Sequence, residues 1–471
     1  MALISPSTSQ LDPGCHLTLK LAERCSSTRF GALPSDIVEL ATQCLLDWMG
    51  VTIAGADQPA VQILFEEVQD QGGNPQATVI GYHTKASARQ AALVNGTASH
   101  ALDYDDVNWS LKGHPSAAII PGLLALAEWR GAAGAEFITA FVAGYETACR
   151  IGRLVSPSHY RHGFHNTATI GAIGSAAACA RLLGLNARTT AMALGIAATQ
   201  AAGLKSMFGT MCKPLHAGKA AEDGLLAATL AMRGFESRTD VLECVQGFGA
   251  TQSADFNLEA ALAEAPGGYY LRGNLFKYHA ACYLTHAVIE CCLKLRDVFR
   301  IRPEDVNSVI VRVDETLDGV CNIQEPKTGS EAKFSLRLIA AFAVAGIDTS
   351  STTSYSISNC EDTRLTELRD KIRVEFVSGW PATKAEVTID YADWLSDSRS
   401  RIASEIYDSG VPADNLAEQR ERLRLKFCAL VDPIFGPERR RKLVDEINGL
   451  VGIQNLEKLL GLCRRTPMDG A

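Results

Sequence analysis

The first 270 residues repeat one pattern, in which segments with helical periodicity are rich in alanine and glycine. The stretch from Ser35 to Gly55 shows it clearly. Ser35 can cap a helix, and Ile37, Leu40 and Trp48 then recur at helical spacing on one face. Similar helices are predicted over residues 117–130, 134–153, 166–184, 188–204 and 217–234. Because small side chains let helix axes approach closely, this pattern predicts a bundle of tightly packed, buried helices.

The pattern changes near residue 270. Val306–Glu315 alternates and is rich in β-branched residues, which predicts a strand. Further strands are predicted over Ile372–Phe376 and Ala385–Asp390, a helix over 332–345, and more helices over 414–431, 437–450 and 454–462. The expected fold class is therefore mainly α. A large all-α helical domain is formed by residues 1–270 and 400–471, and a smaller α+β domain, residues 271–399, is inserted between them.

Composition excludes several classes of protein. The net charge of -8 over 471 residues argues against a nucleic-acid-binding surface. The most apolar stretch, 117–129, contains Pro121 and Glu128 and is too short to span a membrane. The N-terminal residues MALISPSTSQLDPG lack a secretory pattern, and 14 cysteines without a C-x-x-C pair are typical of a reducing compartment. We therefore expect a cytoplasmic protein.

All ten histidines lie before residue 287, and several stand beside Gly, Pro or Asp in segments that resemble loops. The first cluster contains His100, Asp103, Asp105, Asp106 and His114. A carboxylate can orient an imidazole and leave its other nitrogen free for acid or base chemistry. The alternative interpretation is a helix end with capping aspartates and a structural histidine.

The second cluster runs from His159 through Tyr160 and Arg161 to His162 and His165. Although H-x-x-H-x-x-H suggests a metal, this spacing does not keep three ligands on one helix face, and no further ligand completes a familiar zinc pattern. We therefore expect no metal here. His165 stands just before a predicted helix, where the helix N-terminus favours an anionic substrate.

The third and fourth clusters add lysines. Gly218-Lys219 resembles part of a phosphate-binding loop, but the glycine expected five residues earlier is Lys213, so that interpretation fails. Lys213, followed by His216, can act as a base or an electrostatic clamp, or else simply be exposed. Lys277 lies at the predicted junction between the two domains, where pockets are common.

These clusters favour proton transfer on a small anionic substrate. Lysines and protonated histidines stabilise negative charge that develops on carboxylate oxygens, and imidazoles move protons. The chain contains no G-x-S-x-G motif and no convincing nucleotide-binding G-x-G-x-x-G motif. We therefore expect abstraction of a proton beside a carboxylate, without a metal or another cofactor.

Several stretches, in order along nearly the whole chain, resemble the MmgE/PrpD family, which includes 2-methylcitrate dehydratase, cis-aconitate decarboxylase and iminodisuccinate epimerase. They are LLDWMGVTIAG, ALVNGTASHALDYDDVNWSLKGHPS, GFHNTATIG, AMALGIAATQAAGL, MCKPLHAGKAAEDGLLAATLAMRGF and EAKFSL. The resemblance implies a large helical domain, a smaller α+β domain, a homodimer and catalysis without a cofactor. It also implies that the active-site residues are Asp103, His114, His165, Lys213 and Lys277.

The chain departs from the decarboxylase pattern of this family. Val107 replaces a threonine, Cys282 stands near the place of a histidine, and residues 317–324 contain no tyrosine. The Asp103-to-His114 segment is also shorter than in the dehydratases that it resembles. By elimination, we expect an epimerase of a substituted succinate such as iminodisuccinate, with a 2-methylcitrate or citrate dehydratase as the alternative and the decarboxylase less expected.

In this hypothesis His114, His165 and Lys213 supply the acid and the base, and Asp103 orients an imidazole. The substrate's carboxylates are bound by four further residues: Lys277, Tyr160, Arg161 and His216. Two other classes remain open. One is a helical binding protein without catalytic activity, and the other is an iron–sulfur hydratase, which the spacing of the cysteines disfavours.

Overall fold

The computed structural model describes residues 16–393 and 399–465. Helices dominate these residues, and the short strands form small sheets, so the mainly α fold class is confirmed. Two compact units are present: one contains the residues up to Phe276 and those from Asp414 onward, and the other comprises Lys277–Ala413. The N-terminal stretch considered for a secretory signal, residues 1–14, lies outside the described residues.

The first unit is built from helices. They are α1 Leu17–Ser27, α2 Ser35–Gly55, α3 Pro59–Gln71, α4 Ala88–Ala101, α5 Pro115–Arg130, α6 Gly134–Val155, α7 Ser158–Arg161, α8 Asn166–Leu182, α9 Ala187–Gln200, α10 Cys212–Met232, α11 Phe248–Gln252 and α12 Leu258–Leu262. Two-residue strands β1 Ala77–Thr78, β2 Lys85–Ala86, β3 Val107–Asn108 and β4 Asn274–Leu275 connect them as the antiparallel pairs β1–β2 and β3–β4. The six helices predicted in this region all form, with ends shifted by a few residues.

The core of the first unit is the packing of α4, α5, α8 and α10 against one another. Their buried residues are mostly alanine, glycine and small aliphatic residues. Gly96 of α4 faces Gly218 of α10 so closely that a Cβ on Gly96 would lie 2.7 Å from the Cα of Gly218. The small residues therefore set the distance between these helices, as the sequence predicted.

Helix α2 is also part of this core. It is long and apolar enough to cross a membrane by length and composition, but 83% of its apolar window is buried within the fold. It packs against α4 and against the C-terminal helix α19, Leu416–Asn448. These contacts are those of a core helix. Helix α19 bends at Gly436, and α20, Glu457–Leu462, follows it.

The second unit contains a four-stranded mixed sheet. Its strands are β5 Val306–Asp314, β6 Ile372–Val377, β7 Lys384–Asp393 and β8 Arg399–Asp408, and its helices are α13 His286–Phe299, α14 Asp318–Cys321, α15 Gly329–Ala332, α16 Leu336–Ala345, α17 Ile357–Glu361 and α18 Thr363–Asp370. The strand order is β6-β5-β7-β8, and only β5 and β6 are parallel. Val309, Val311 and Val313 are buried in the central strand, and α13 and α16 pack against the sheet.

Strand β8 differs from the sequence-based expectation, which assigned residues from 400 onward to the helical domain. It pairs with β7 along its whole length, and the second unit extends to Ala413. Its side chains explain the difference. This edge strand exposes Ile402 and Ile406, and charged residues interrupt its alternation, so the strand pattern is weak.

Candidate active site

Four helix ends of the first unit bring the candidate residues together. Helix α4 ends just after His100, while α5 begins after His114 and α8 begins after His165. Lys213 and His216 lie in the first turns of α10. Because α4, α5, α8 and α10 pack against one another, the sequence-predicted residues Asp103, His114, His165, Lys213 and His216 meet at one end of this bundle.

Asp103 and Lys213 form the accessible part of the site. The Lys213 ammonium lies 2.9 Å from the Asp103 carboxylate, and His114 Nε2 lies 3.9 Å from the same oxygen. The exposed fractions of the three side chains are 30% for Asp103, 16% for Lys213 and 13% for His114. These three groups can therefore contact a small molecule directly.

Asp105, rather than Asp103, orients the imidazoles. Its carboxylate is fully buried and accepts a hydrogen bond from His100 Nδ1 at 2.9 Å. Its other oxygen lies 3.0 Å from His114 Nδ1, a close electrostatic contact without the alignment of a hydrogen bond. The orienting role that the sequence analysis gave to Asp103 therefore belongs to a carboxylate two residues later.

Burial largely determines the protonation state of His100, and the neighbouring imidazoles determine that of Asp105. Burial lowers the pKa of His100 to about 4, so its imidazole is neutral near pH 7. Burial alone would raise the pKa of the Asp105 carboxyl, but the His100 and His114 imidazoles hold it well below its usual range. Since a carboxylate only accepts hydrogen bonds, His100 carries its proton on Nδ1. Its Nε2 therefore carries no proton and can only accept a hydrogen bond. This atom has no hydrogen-bond partner among the described residues.

A second imidazole pair stands on the other side of the site. His165 Nδ1 and His216 Nδ1 are 3.0 Å apart. Burial lowers the pKa of both, with Lys213 adding to the effect, so both are neutral near pH 7. One ring must donate and the other accept, so the two carry opposite tautomers. Phe208 packs edge-on against His165, and its ring centre lies 5.5 Å from the Lys213 ammonium.

Two buried contacts hold the loop that carries Asp103 and Asp105. Lys426 of α19 pairs with Asp47 at 2.6 Å and also donates a hydrogen bond to the Tyr104 carbonyl at 2.7 Å. Asp106 accepts hydrogen bonds from the hydroxyl and backbone N–H of Ser116, the second residue of α5. The loop is therefore fixed on both sides of the orienting carboxylate.

One group of residues in the site could also hold a metal ion. His100, Asp103, Asp105 and His114, hereafter the His–Asp cluster, offer ligand atoms that all lie within 4.8 Å of one another. A cation bound there would compete with Lys213 for Asp103. The H-x-x-H-x-x-H residues form no such group in the described part of the chain, since His159 contacts the Gln252 carbonyl and Thr169.

Three predicted substrate-binding residues are not joined to this site by the contacts described above. Tyr160 lies in α7, where the Lys205 ammonium stands 3.7 Å from the centre of its ring. Arg161 is exposed on the same short helix. Lys277 is buried and is the first residue of the second unit. Their binding roles stay predictions.

Two functional candidates, His100 and Asp105, are missing from the site that the sequence analysis selected, although both lie in its first cluster. Phe208, which packs against His165, was not among the predicted residues either. The histidine followed by several aspartates was a usable signal. The sequence did not show which carboxylate contacts which imidazole, because α4 ends at Ala101 and the aspartates follow it in a turn.

A mainly helical chain that gathers a lysine, four imidazoles and two differently buried carboxylates is built for acid–base chemistry, and it is an enzyme of the isomerase or lyase type. Comparison with known protein families identifies the class of enzyme more specifically. The MmgE/PrpD N-terminal domain matches residues 19–261, and the MmgE/PrpD C-terminal domain matches residues 279–449. The chain belongs to the MmgE/PrpD family, as the sequence motifs indicated.

Its relatives include three proteins named cis-aconitate decarboxylase. The protein from Homo sapiens is 28% identical over 377 residues, which cover 76% of each chain. The protein from Aspergillus terreus is 26% identical over 478 residues, which cover 95% of each chain. The protein from Mus musculus is 28% identical over 452 residues, which cover 92% of this chain and 90% of the relative.

Proposed function

We propose that this chain is a lyase that acts on a small tricarboxylate, with decarboxylation of cis-aconitate as the first reaction to test. The observation that carries the proposal is the Lys213 ammonium, which stands at the start of a helix among imidazoles that burial keeps neutral. The order of the candidate reactions is therefore revised from the sequence-based one. The names of the relatives favour a lyase, whereas the epimerase rested on elimination alone.

Binding of a carboxylate is supported by the local field. The Lys213 ammonium is a positive charge, and α5, α8 and α10 present the positive ends of their dipoles to the same site. An imidazole that is neutral near pH 7 does not compete for the anion, yet it retains a lone pair and an N–H. The site thus separates the group that binds charge from the groups that move protons.

The chemistry needs one proton transfer at carbon. In a decarboxylation, the bond between the carboxylate and its carbon breaks, its electron pair moves onto the substrate skeleton, and carbon dioxide leaves. A proton donor then protonates the carbanion-like carbon. His114, with Nε2 towards the accessible side and Nδ1 at Asp105, is placed for this transfer, and Lys213 stabilises charge on a remaining carboxylate.

The test is proton NMR in D₂O with cis-aconitate, citrate, 2-methylcitrate and iminodisuccinate supplied separately. Decarboxylation predicts loss of carbon dioxide from cis-aconitate and one deuterium in the product. A new alkene signal from citrate or 2-methylcitrate would instead assign a dehydratase. Deuterium exchange with interconversion of stereoisomers of iminodisuccinate would assign an epimerase. Inertness towards all four substrates would favour a binding protein and contradict the proposal.

The matched variants are Lys213→Ala and Lys219→Ala. Lys219 lies six residues further along α10, is largely exposed and pairs with Glu222 and Asp223. Loss of turnover in the first variant with retention in the second supports the site. Equal activity of both variants would contradict the assignment of Lys213. The homodimer and the cytoplasmic location stay predictions, and light scattering of the purified protein tests the former.

A further inference from the structure

A cavity lies in the first unit, and none of the candidate active-site residues lines it. It has a volume of about 230 Å³ and opens to solvent. Helices α1 and α6 and the turn before β4 form its walls. The residues that line it include Arg24, Glu146, Arg150 and Tyr269. None of these residues belongs to the His–Asp cluster or contacts Lys213 in the structure. The cavity therefore has no role in the chemistry proposed above.

Arg150 is an unusual residue in this wall, because a charged side chain is rarely buried without a counter-charge. Only 7% of it is exposed. Its Nη1 donates hydrogen bonds to the carbonyls of Ala261 and Ala263, and no carboxylate among the described residues forms an ion pair with it. The carbonyls satisfy part of its hydrogen-bonding capacity, its guanidinium carbon lies 5.3 Å from the centre of the Tyr270 ring, and the nearby Glu146 interacts with its charge without forming an ion pair.

Arg24 adds a second positive charge to the same cavity. It lies in the last turn of α1, is exposed, and has no ion pair with a carboxylate in the part of the chain that the structure describes. The proximity of Arg24 contributes, after burial, to a lowered pKa of Arg150. Two guanidinium groups that repel each other at one opening favour a shared anion between them.

Glu146 could have neutralised these charges but is used otherwise. Its two carboxylate oxygens accept the backbone N–H groups of Tyr270 and Leu271, at 3.1 and 3.0 Å. Burial raises the pKa of Glu146 to about 7, so near neutral pH this carboxyl carries only part of a negative charge. The cavity keeps a net positive charge whether or not Glu146 is ionised, because two arginines and a single carboxyl group line it.

We propose that this cavity binds a small oxyanion with two or more negative charges, held between Arg24 and Arg150. Its volume exceeds the roughly 150 Å³ of an engineered cavity that holds benzene, so a compact polycarboxylate or a phosphate fits. Both share the planar pairs or clusters of oxygens that a guanidinium group binds bidentately. The proposal does not depend on the reaction that the chain catalyses.

The experiment is isothermal titration calorimetry with citrate and, separately, with inorganic phosphate. It uses the full chain carrying Lys213→Ala, so that binding at the candidate active site is weakened and binding in the cavity between α1 and α6 is measured by itself. One bound anion per chain is expected. Tighter binding of citrate would identify the polycarboxylate class, and tighter binding of phosphate the phosphate class.

Variants of two arginines locate the site. Arg24→Gln is expected to weaken binding at least about tenfold, since it removes one of two charge-assisted contacts. Arg153→Gln is the matched control, because Arg153 is an exposed arginine of α6 that does not line the cavity. Arg24 is exposed, so its replacement should not unfold the chain. Failure of both anions to bind, or equal affinities in the Arg24→Gln and control variants, would overturn the proposal.

Discussion

Replacement of Asp105 by Asn tests whether one buried carboxylate sets the tautomers of two imidazoles. The substitution keeps the shape of the side chain but replaces one acceptor oxygen with an N–H donor. In the native site, His100 Nδ1 lies 2.9 and 3.0 Å from the two Asp105 oxygens, and His114 Nδ1 lies 3.0 Å from the second of these oxygens. One ring must therefore face a donor. It can accept that hydrogen bond only by moving its proton to Nε2.

The expected loss of activity depends on which nitrogen of His114 can still transfer a proton. If His114 changes tautomer, its Nδ1 accepts from the introduced amide and its only proton lies on Nε2, the atom that faces Asp103 and the accessible side, so transfer of that proton to the substrate carbon would leave an unfavourable imidazolate. In serine proteases, a wrong tautomer of the catalytic histidine costs about 10⁴ in kcat, and in metal sites the loss of an outer orienting group costs about 10–100-fold. We expect kcat to fall by about 10²–10⁴, or roughly 3–5 kcal/mol of transition-state stabilisation.

The assay is steady-state turnover of the substrate identified by NMR, measured across pH. The Michaelis constant should change little, because Lys213 and the helix ends that bind the carboxylate remain. The control is Asp106→Asn, since this neighbouring buried carboxyl bonds to Ser116 and to no imidazole among the described residues. A folded Asp105→Asn protein with kcat within about threefold of the control would refute the reasoning.

Three further outcomes are expected. Lys426→Met leaves Asp47 buried without its counter-charge and should lower the free energy of unfolding by about 3–5 kcal/mol in urea titrations, whereas the exposed Lys442→Met should have little effect. Burial raises the pKa of Asp106 to about 7, so the folded state retains a proton that the unfolded chain releases near pH 4. The stabilisation that this proton provides is complete below about pH 4, and up to roughly 4 kcal/mol of it is lost as the pH rises to about 7. In the Asp106→Asn variant, the free energy of unfolding should therefore fall less over this pH range than in the native protein. An equal fall in both proteins would show that the Asp106 carboxyl is not the group responsible. Treatment with a chelator should leave turnover unchanged while added Zn²⁺ inhibits it through the His–Asp cluster; a loss of turnover that Zn²⁺ restores would show that the cluster uses a metal.

The predicted helices carry local signals, above all helical periodicity of small and apolar residues. In α9 the side chain of Asn186 also caps the first turn, whereas α4 was not predicted although Ser87 and Gln90 form a capping box. Strand β8 has no comparable signal. It lies at the edge of the sheet and exposes Ile402, so its alternation of apolar and polar residues does not mark a buried face. Its place is set by pairing with β7, a contact between residues that only the fold brings together.

The accessible residues of the site could also be predicted, but the pairing of Asp105 with His100 could not. Helical spacing would put Asp103, three residues after His100, on the same face of α4. The helix ends at Ala101, however, and Asp103 adopts a left-handed backbone conformation with φ of 52°. That single conformation turns Asp103 towards Lys213 and leaves Asp105 to meet the imidazole. Periodicity ends where the helix ends, so the sequence grouped residues that the structure brings together but did not show which carboxylate contacts the imidazoles.

The two carboxylates bear on how a chain with a net charge of -8 would bind the proposed anionic substrate. Asp103 is partly exposed and compensates Lys213, so a substrate carboxylate must compete with it for the ammonium. Asp105 is fully buried and directs its charge at two imidazoles. At a distance of about 10 Å, the Debye length in 0.1 M salt, the remaining surface charges are largely screened. The field that the proposed substrate meets is therefore set by Lys213, its partner Asp103 and three helix N-termini, and the net charge of the protein does not decide it.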